Sequence, residues 1–83
     1  MKKLVIYGKD NCPYCQRSVN LCQRKGYEYE YYKIGEDVSK EDVVKRIGRE
    51  FRTVPQIIFI NDDKEEYIGG FDDLNLVHRK LFS

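Results

Sequence analysis

From Lys3 to Tyr7 the chain passes through Leu4, Val5 and Ile6 without a polar interruption, and two of those three are β-branched. The run does not alternate, so it fits a strand buried on both faces rather than one with a wet side. Such a strand needs cover above and below, which directs the chain toward a sheet with helices packed on its faces. The run is far short of the ~18 apolar residues of a membrane span, and no later stretch comes nearer, so no membrane association is expected. Met1-Lys2-Lys3 opens like a secretory leader, but the apolar stretch behind it is short and lacks a small-residue cleavage site. The opening therefore reads as a first strand, and the expected location is cytoplasmic. Eighty-three residues are room for one compact unit, and no repeat, low-complexity tract or linker divides them. A single domain over 1–83 is expected.

Beyond the strand, Gly8–Asn11 is a polar turn. Pro13–Lys25 reads as a helix, because proline suits a first turn and Gly26 supplies a stop. Cys15, Val19 and Cys22 then share one face. Tyr27–Ile34 alternates tyrosine with glutamate before turning apolar, which suggests a half-exposed strand near a sheet edge. Ser39-Lys40-Glu41-Asp42 has the form of a capping box, and Val43, Val44, Ile47 and Phe51 recur at helical spacing, predicting a second helix over about 40–50. Gln56–Ile60 and Glu66–Ile68, joined through Asn61–Lys64, form a hairpin. Leu74, Val77 and Leu81 mark a last helix that Asp72 or Asp73 would start. The order βαβαββα, with a right-handed crossover between the first two strands, predicts an α/β fold: a four-stranded mixed sheet with three helices on its faces. Chemistry in open α/β sheets sits where a strand hands over to a helix.

Fifteen basic and fourteen acidic residues leave a net charge of +1, which argues against nucleic acid as a partner. The charges are unevenly spread. Residues 1–30 carry six basic and three acidic side chains, residues 61–83 three and six. The basic third also holds all three cysteines, Cys12, Cys15 and Cys22. An odd set of three does not suit a disulfide-held secreted fold. Zinc wants four ligands, usually as two close pairs, and here only Cys22 and His78 remain beside Cys12-Pro13-Tyr14-Cys15. No metal is expected, and a redox dithiol is the leading reading.

At the mouth of the first helix Cys12 faces solvent, while Cys15 lies one turn inside. That asymmetry makes Cys12 the nucleophile and Cys15 the resolving thiol. A thiol of pKa ~8.5 is only about 3% ionised at pH 7, and lowering it by ~3 units takes about 4 kcal/mol in favour of the anion. A helix dipole supplies about 0.3–2 kcal/mol, so first-turn amides and the charge of Lys9 must add the rest. The opposing reading is a pair of inert core cysteines. Cys22, about 10 Å along the axis from Cys15, cannot reach it and reads as core. His78 reads as structural, and the tyrosines of 27–32 as sheet surface. Thr53-Val54-Pro55 is the second signal. Residue types alone favour an ordinary trans proline opening an edge strand. A cis bond opposite the dithiol would leave the Val54 backbone free to pair with an extended cysteine-containing peptide.

Cys12-Pro13-Tyr14-Cys15, Thr53-Val54-Pro55 and Gly69-Gly70-Phe71-Asp72-Asp73 resemble the three signature segments of dithiol glutaredoxins, in order and at matching separations. The length and Ser39–Val43 are most similar to the small bacterial and phage glutaredoxins that reduce ribonucleotide reductase. The resemblance implies a thioredoxin-like fold and a glutathione-dependent oxidoreductase that reduces protein disulfides and glutathione mixed disulfides, with no bound cofactor. It implies a glutathione site in which Tyr14 lines the cleft and Val54, between Thr53 and Pro55, pairs its backbone with the tripeptide. In that site Gly70, Asp72 and Asp73 hold the γ-glutamyl end, and Lys9 with Arg52 or Arg49 faces the glycine carboxylate. Each residue has a duller alternative: the aspartates as a helix cap, the cations as solvated surface. Glutathione and disulfide proteins, ribonucleotide reductase among them, are the implied partners of an expected monomer. Relatives often carry an acidic residue where this chain has Lys33.

Two rivals stand beside this reading. A thioredoxin-like reductant recharged by a flavoprotein is disfavoured by the absence of tryptophan and by Pro-Tyr between the cysteines. An iron-sulfur carrier held through Cys12 and glutathione is disfavoured by the proline after that cysteine.

Overall fold

The computed structural model describes residues 1–83. Its order is β1 (Lys2–Gly8), α1 (Pro13–Lys25), β2 (Tyr29–Lys33), α2 (Lys40–Ile47), β3 (Gln56–Asn61), β4 (Lys64–Gly69) and α3 (Phe71–Leu81). The strands form one mixed sheet in the order β2-β1-β3-β4. β1 runs parallel to β2 and antiparallel to β3, and β4 is antiparallel to β3. This is the expected α/β architecture, a thioredoxin-like fold.

The non-alternating run explains the layering. Leu4 and Ile6 point to one face, where they meet Leu21 and Cys22 of α1, Ile57 and Phe59 of β3, and Leu74 of α3. Val5 and Tyr7 point to the other, where Ile58 and Val43 of α2 cover them. Leu4 to Tyr7 are all nearly inaccessible to solvent, so β1 is the central strand its sequence requires. β2 at the sheet edge is half-buried throughout. Its alternation sorts the tyrosines: Tyr29 and Tyr31 pack with α1, and Tyr32 with the α2 side. No helix is long and apolar enough to cross a membrane.

Three local expectations are corrected. α2 ends at Ile47, three residues short of Glu50, because Gly48 takes a left-handed conformation and its N–H donates to the Val44 carbonyl. The Val54-Pro55 bond is cis, and it leads into β3, an interior strand rather than an edge. The residue that caps α3 is Gly70, with Asp72 and Asp73 inside its first turn. Asp73 still serves the helix start, since its carboxylate accepts the Gly70 N–H at 3.1 Å. Gly69, at φ +118°, makes room for that: a Cβ there would run into the Asp73 carboxylate.

Candidate active site

Cys12 and Cys15 lie where β1 gives way to α1, joined as a disulfide with their Cα atoms 5.2 Å apart. Cys12 is the N-cap of α1, in extended conformation, and its sulfur accepts the Cys15 N–H at 3.2 Å. A thiolate at Cys12 would keep this bond and face the positive end of α1, the two influences that favour the anion. Proline at the next position costs nothing, since its missing N–H has no partner at a helix start. Cys12 is half-buried and Cys15 only 2% exposed, the asymmetry expected of an attacking and a resolving sulfur. Cys22 has the opposite character: it is fully buried, and desolvation pushes its thiol up to about 11. A thiol there stays protonated and inert.

The Cys12 sulfur lies 3.8 Å from the Val54 carbonyl oxygen. Val54 precedes β3 and takes no part in its ladder. The turn that holds it is pinned from behind, since the Gln56 side-chain amide donates to the Thr53 carbonyl at 2.7 Å and its oxygen accepts the Tyr67 hydroxyl. Tyr14, Thr53, Val54, Pro55, Gly70, Phe71, Asp72 and Asp73 line one cleft of ≈ 320 Å³. Seven of these eight are residues that the resemblance implies for a glutathione site. The eighth, Phe71, forms the wall against Tyr14, with ring centroids 6.4 Å apart, and Arg17 stacks on the Tyr14 ring at 5.0 Å. A ring that is 49% exposed is thus held in place by two neighbours.

The expected cations do not all gather. Lys9 and Arg52 line a smaller concavity of ≈ 120 Å³ that shares Val54 with the cleft. Lys40, from the first residue of α2, joins them, and its ammonium sits 5.6 Å from the Phe51 ring centroid. Sequence reasoning missed Lys40 because it read the residue only as part of a capping box. Arg49 stands apart, stacked on Tyr67 at 5.6 Å. Val54 therefore separates a carboxylate-bearing end from a cationic one.

On the other side of the disulfide a second concavity of ≈ 300 Å³ reaches Cys12 and Cys15. Tyr29, Tyr31 and Val19 line it together with Lys33, whose ammonium pairs with Asp10 at 3.1 Å. That pairing raises the Lys33 pKa above its usual value. His78 lies away from all these surfaces, buried on α3, with its Nδ1 2.8 Å from the Tyr27 hydroxyl. No cluster of three or more His, Cys, Asp or Glu side chains could hold a metal ion.

Residues 4–64 match the family model described as Glutaredoxin. The chain is similar to a glutaredoxin of Haemophilus influenzae, at 40% identity over 95% of this chain and 93% of that protein. It is similar to glutaredoxin 3 of Escherichia coli, at 43% identity over 89% and 83% of the two chains. Among solved structures it is similar to glutaredoxin 1 of Francisella tularensis in complex with cacodylate. The TM-score there is 0.71 at 25% identity, covering 99% of this chain and 98% of that one. A buckwheat glutaredoxin-glutathione complex matches with a TM-score of 0.69 at 28% identity, over 95% and 70% of the two chains.

Proposed function

Because this chain belongs to the glutaredoxin family and is a thiol-disulfide oxidoreductase, we propose that it takes its electrons from glutathione. One arrangement carries the reading. A cleft begins at Val54, beside the Cys12 sulfur, and runs to the start of α3, with a cationic concavity on the other flank of Val54. Glutathione has two carboxylates and one ammonium, and this layout offers each a partner. The γ-glutamyl end lies along Gly70, Asp72 and Asp73, where the α3 amides receive its carboxylate and the aspartates its ammonium. The Val54 backbone, between Thr53 and Pro55, pairs with the central cysteine, and Tyr14 closes the cleft. Lys9, Arg52 and Lys40 face the glycine carboxylate. The solved glutathione complex of the buckwheat relative supports the same ligand for this chain.

On a glutathione mixed disulfide, the Cys12 thiolate attacks the glutathione sulfur and the substrate thiolate departs. A second glutathione thiolate then attacks that sulfur, releasing oxidised glutathione and restoring Cys12. On a protein disulfide, Cys12 forms a mixed disulfide with one substrate sulfur. Cys15 attacks Cys12, expels the second substrate thiolate and leaves the Cys12–Cys15 disulfide, which two glutathiones then reduce. We propose that the protein works in the cytoplasm as a monomer and that ribonucleotide reductase is among its disulfide substrates. A coupled assay with glutathione, glutathione reductase, NADPH and a glutathione mixed disulfide tests the central claim. Glutathione-dependent NADPH consumption is expected. The claim is lost if that turnover is absent while thioredoxin reductase reduces the Cys12–Cys15 disulfide directly.

A further inference from the structure

The resolving thiol has a difficulty that the nucleophile lacks. Cys12 accepts an amide hydrogen bond at the positive end of α1. Cys15 is 2% exposed and must also become a thiolate before it can attack, although burial favours the protonated form. A polar group facing its sulfur would remove the difficulty.

Gly8 reveals one. A Cβ built on Gly8 would overlap the Tyr31 hydroxyl and stand 2.8 Å from Cys15 Sγ, so the hydroxyl and the sulfur converge on the bare Cα of Gly8, about 5 Å apart at most. β1 and β2 are in parallel register there, with Gly8 opposite Lys33 and Ile6 opposite Tyr31. The Tyr31 ring reaches forward along the sheet toward the turn after β1. Its hydroxyl makes only a long hydrogen bond, to the Lys9 carbonyl at 3.3 Å. Tyr31, Cys12 and Cys15 all line the second concavity. The ionisable groups facing the pair are Lys9 and Asp10 from the turn after β1, Tyr29 and Lys33 from β2, and Cys12 at the N-cap of α1. Asp10 and Lys33 pair with each other. Burial, followed by Asp10, holds the Tyr31 phenol above its ordinary pKa, so the hydroxyl keeps its proton at neutral pH and remains a donor.

We infer that Tyr31 is a positioning residue for the resolving half-reaction, its hydroxyl turning from the Lys9 carbonyl to donate a hydrogen bond to the Cys15 thiolate. In that step Cys15 gives its proton to water in the concavity, and Tyr31 donates to the anion left behind. The anion attacks Cys12 Sγ, the Cys12–Cys15 bond forms, the Cys12–substrate bond breaks, and the electron pair leaves on the substrate sulfur, which water protonates. The inference rests on the proposed protein-disulfide route but requires no glutathione.

Two glutathione-free measurements test it, so a failed glutathione assay leaves them intact. In the first, the protein is reduced, Cys12 is alkylated, and the Cys15 Cβ chemical shift is followed against pH. Tyr31→Phe should raise the midpoint by about one unit, a tenfold loss of thiolate at neutral pH. Site-specific 3-fluorotyrosine at position 31, a more acidic donor, should lower it. The second follows release of the peptide thiol from a preformed mixed disulfide between Cys12 and a disulfide peptide. Tyr31→Phe should slow it about tenfold at pH 7 and less at higher pH. A merely structural role would not move the midpoint in opposite directions in the two variants. An unchanged midpoint with phenylalanine, or shifts of the same sign in both variants, overturns the inference. If the phenylalanine variant does not fold, the fluorotyrosine titration decides alone: an unchanged or raised midpoint overturns the inference.

Discussion

The Cys12–Cys15 disulfide stands between two concavities of nearly equal size, ≈ 320 and ≈ 300 Å³, built in opposite ways. The cleft on the Val54 side is made from the turn before β3, the start of α3 and the ring of Tyr14. It includes the Val54 backbone, which takes no part in the sheet ladder and is free to pair with an extended ligand. The concavity on the β2 side is made from side chains of the turn after β1, of α1 and of β2, two tyrosines and the Asp10–Lys33 pair among them. Only this second side reaches the buried Cys15 sulfur. In the proposed reading the first surface holds a substrate beside Cys12 and the second governs the buried Cys15 thiol. Different tasks for the two sulfurs, as proposed, account for one disulfide meeting two environments.

The cysteines themselves give the largest contrast. Cys12→Ser should abolish turnover on every disulfide substrate, by ~10³-fold or more, since the remaining thiols, Cys15 and Cys22, are buried from an incoming substrate. Cys15→Ser should divide the substrates, losing about a hundredfold on protein disulfides while staying within about twofold on glutathione mixed disulfides. Steady-state assays of both variants on both substrate types check this. Equal losses on the two substrates in Cys15→Ser would mean that the two sides of the disulfide do not have separate tasks.

A glycine on each side sharpens the comparison in stability. An added methyl at Gly8 would press on Cys15 Sγ and the Tyr31 hydroxyl, whereas one at Gly70 would meet only the Pro55 carbonyl oxygen at an ordinary 3.6 Å. Gly8→Ala should therefore cost about 1–3 kcal/mol by overpacking. Gly70→Ala, at an unstrained N-cap, should cost about 1 kcal/mol or less. Urea unfolding of the oxidised proteins measures both. A Gly8→Ala protein as stable as the parent would show that Tyr31 and Cys15 are not held together as described.

The difference between the two sides also explains what can be read from the residues alone. Tyr14, Thr53–Pro55 and Gly70–Asp73 fall in short segments with unusual residue types, so the first side is legible directly in the chain. Its details are not. The cis Val54-Pro55 bond depends on packing that a proline does not announce. Gly70 rather than an aspartate caps α3 because the Asp73 carboxylate reaches back to the Gly70 N–H. Beyond Cys12 and Cys15 themselves, the second side has no motif. Tyr29 and Tyr31 alternate with Glu30 and Tyr32, and that period of two already places them on one face. What the residues do not say is that α1 covers this face and that Cys15 sits beneath it, a consequence of the β2-β1-β3-β4 order. β1 is legible for the converse reason, since a strand apolar on both faces has no outward side to misassign.

A smaller effect separates binding from architecture on the first side. Asp72 and Asp73 are both exposed in the first turn of α3, but only Asp73 bonds the Gly70 N–H. Asp72→Asn should raise the KM for glutathione about threefold and leave the unfolding midpoint in place. Asp73→Asn should move both quantities. Titrating glutathione at saturating mixed disulfide and unfolding the same preparations distinguishes the two residues. If Asp72→Asn moved stability and not KM, Asp72 would belong to the helix and not to the ligand site.

His78 lies outside both concavities and should affect neither half-reaction, which makes it the control for the comparison. It is buried against Tyr27, and its pKa is held below the ordinary value by desolvation first and then by Arg79, Lys25 and Arg24. A histidine with a lowered folded pKa binds fewer protons in the native state than in the unfolded chain, so stability rises with pH across that interval. The contribution is complete above an unfolded pKa of ~6.5 and is lost as pH falls below it toward the folded value. The unfolding midpoint should therefore decline modestly between about pH 7 and pH 5. Part of that decline should vanish in His78→Gln, whose baseline stability will be lower because the bond to Tyr27 is altered. The discriminating quantity is thus the slope with pH and not the midpoint itself. An identical slope in the variant would remove His78 from the pH response, whereas a change in the Cys12 or Cys15 half-reactions would show that α3 communicates with the dithiol.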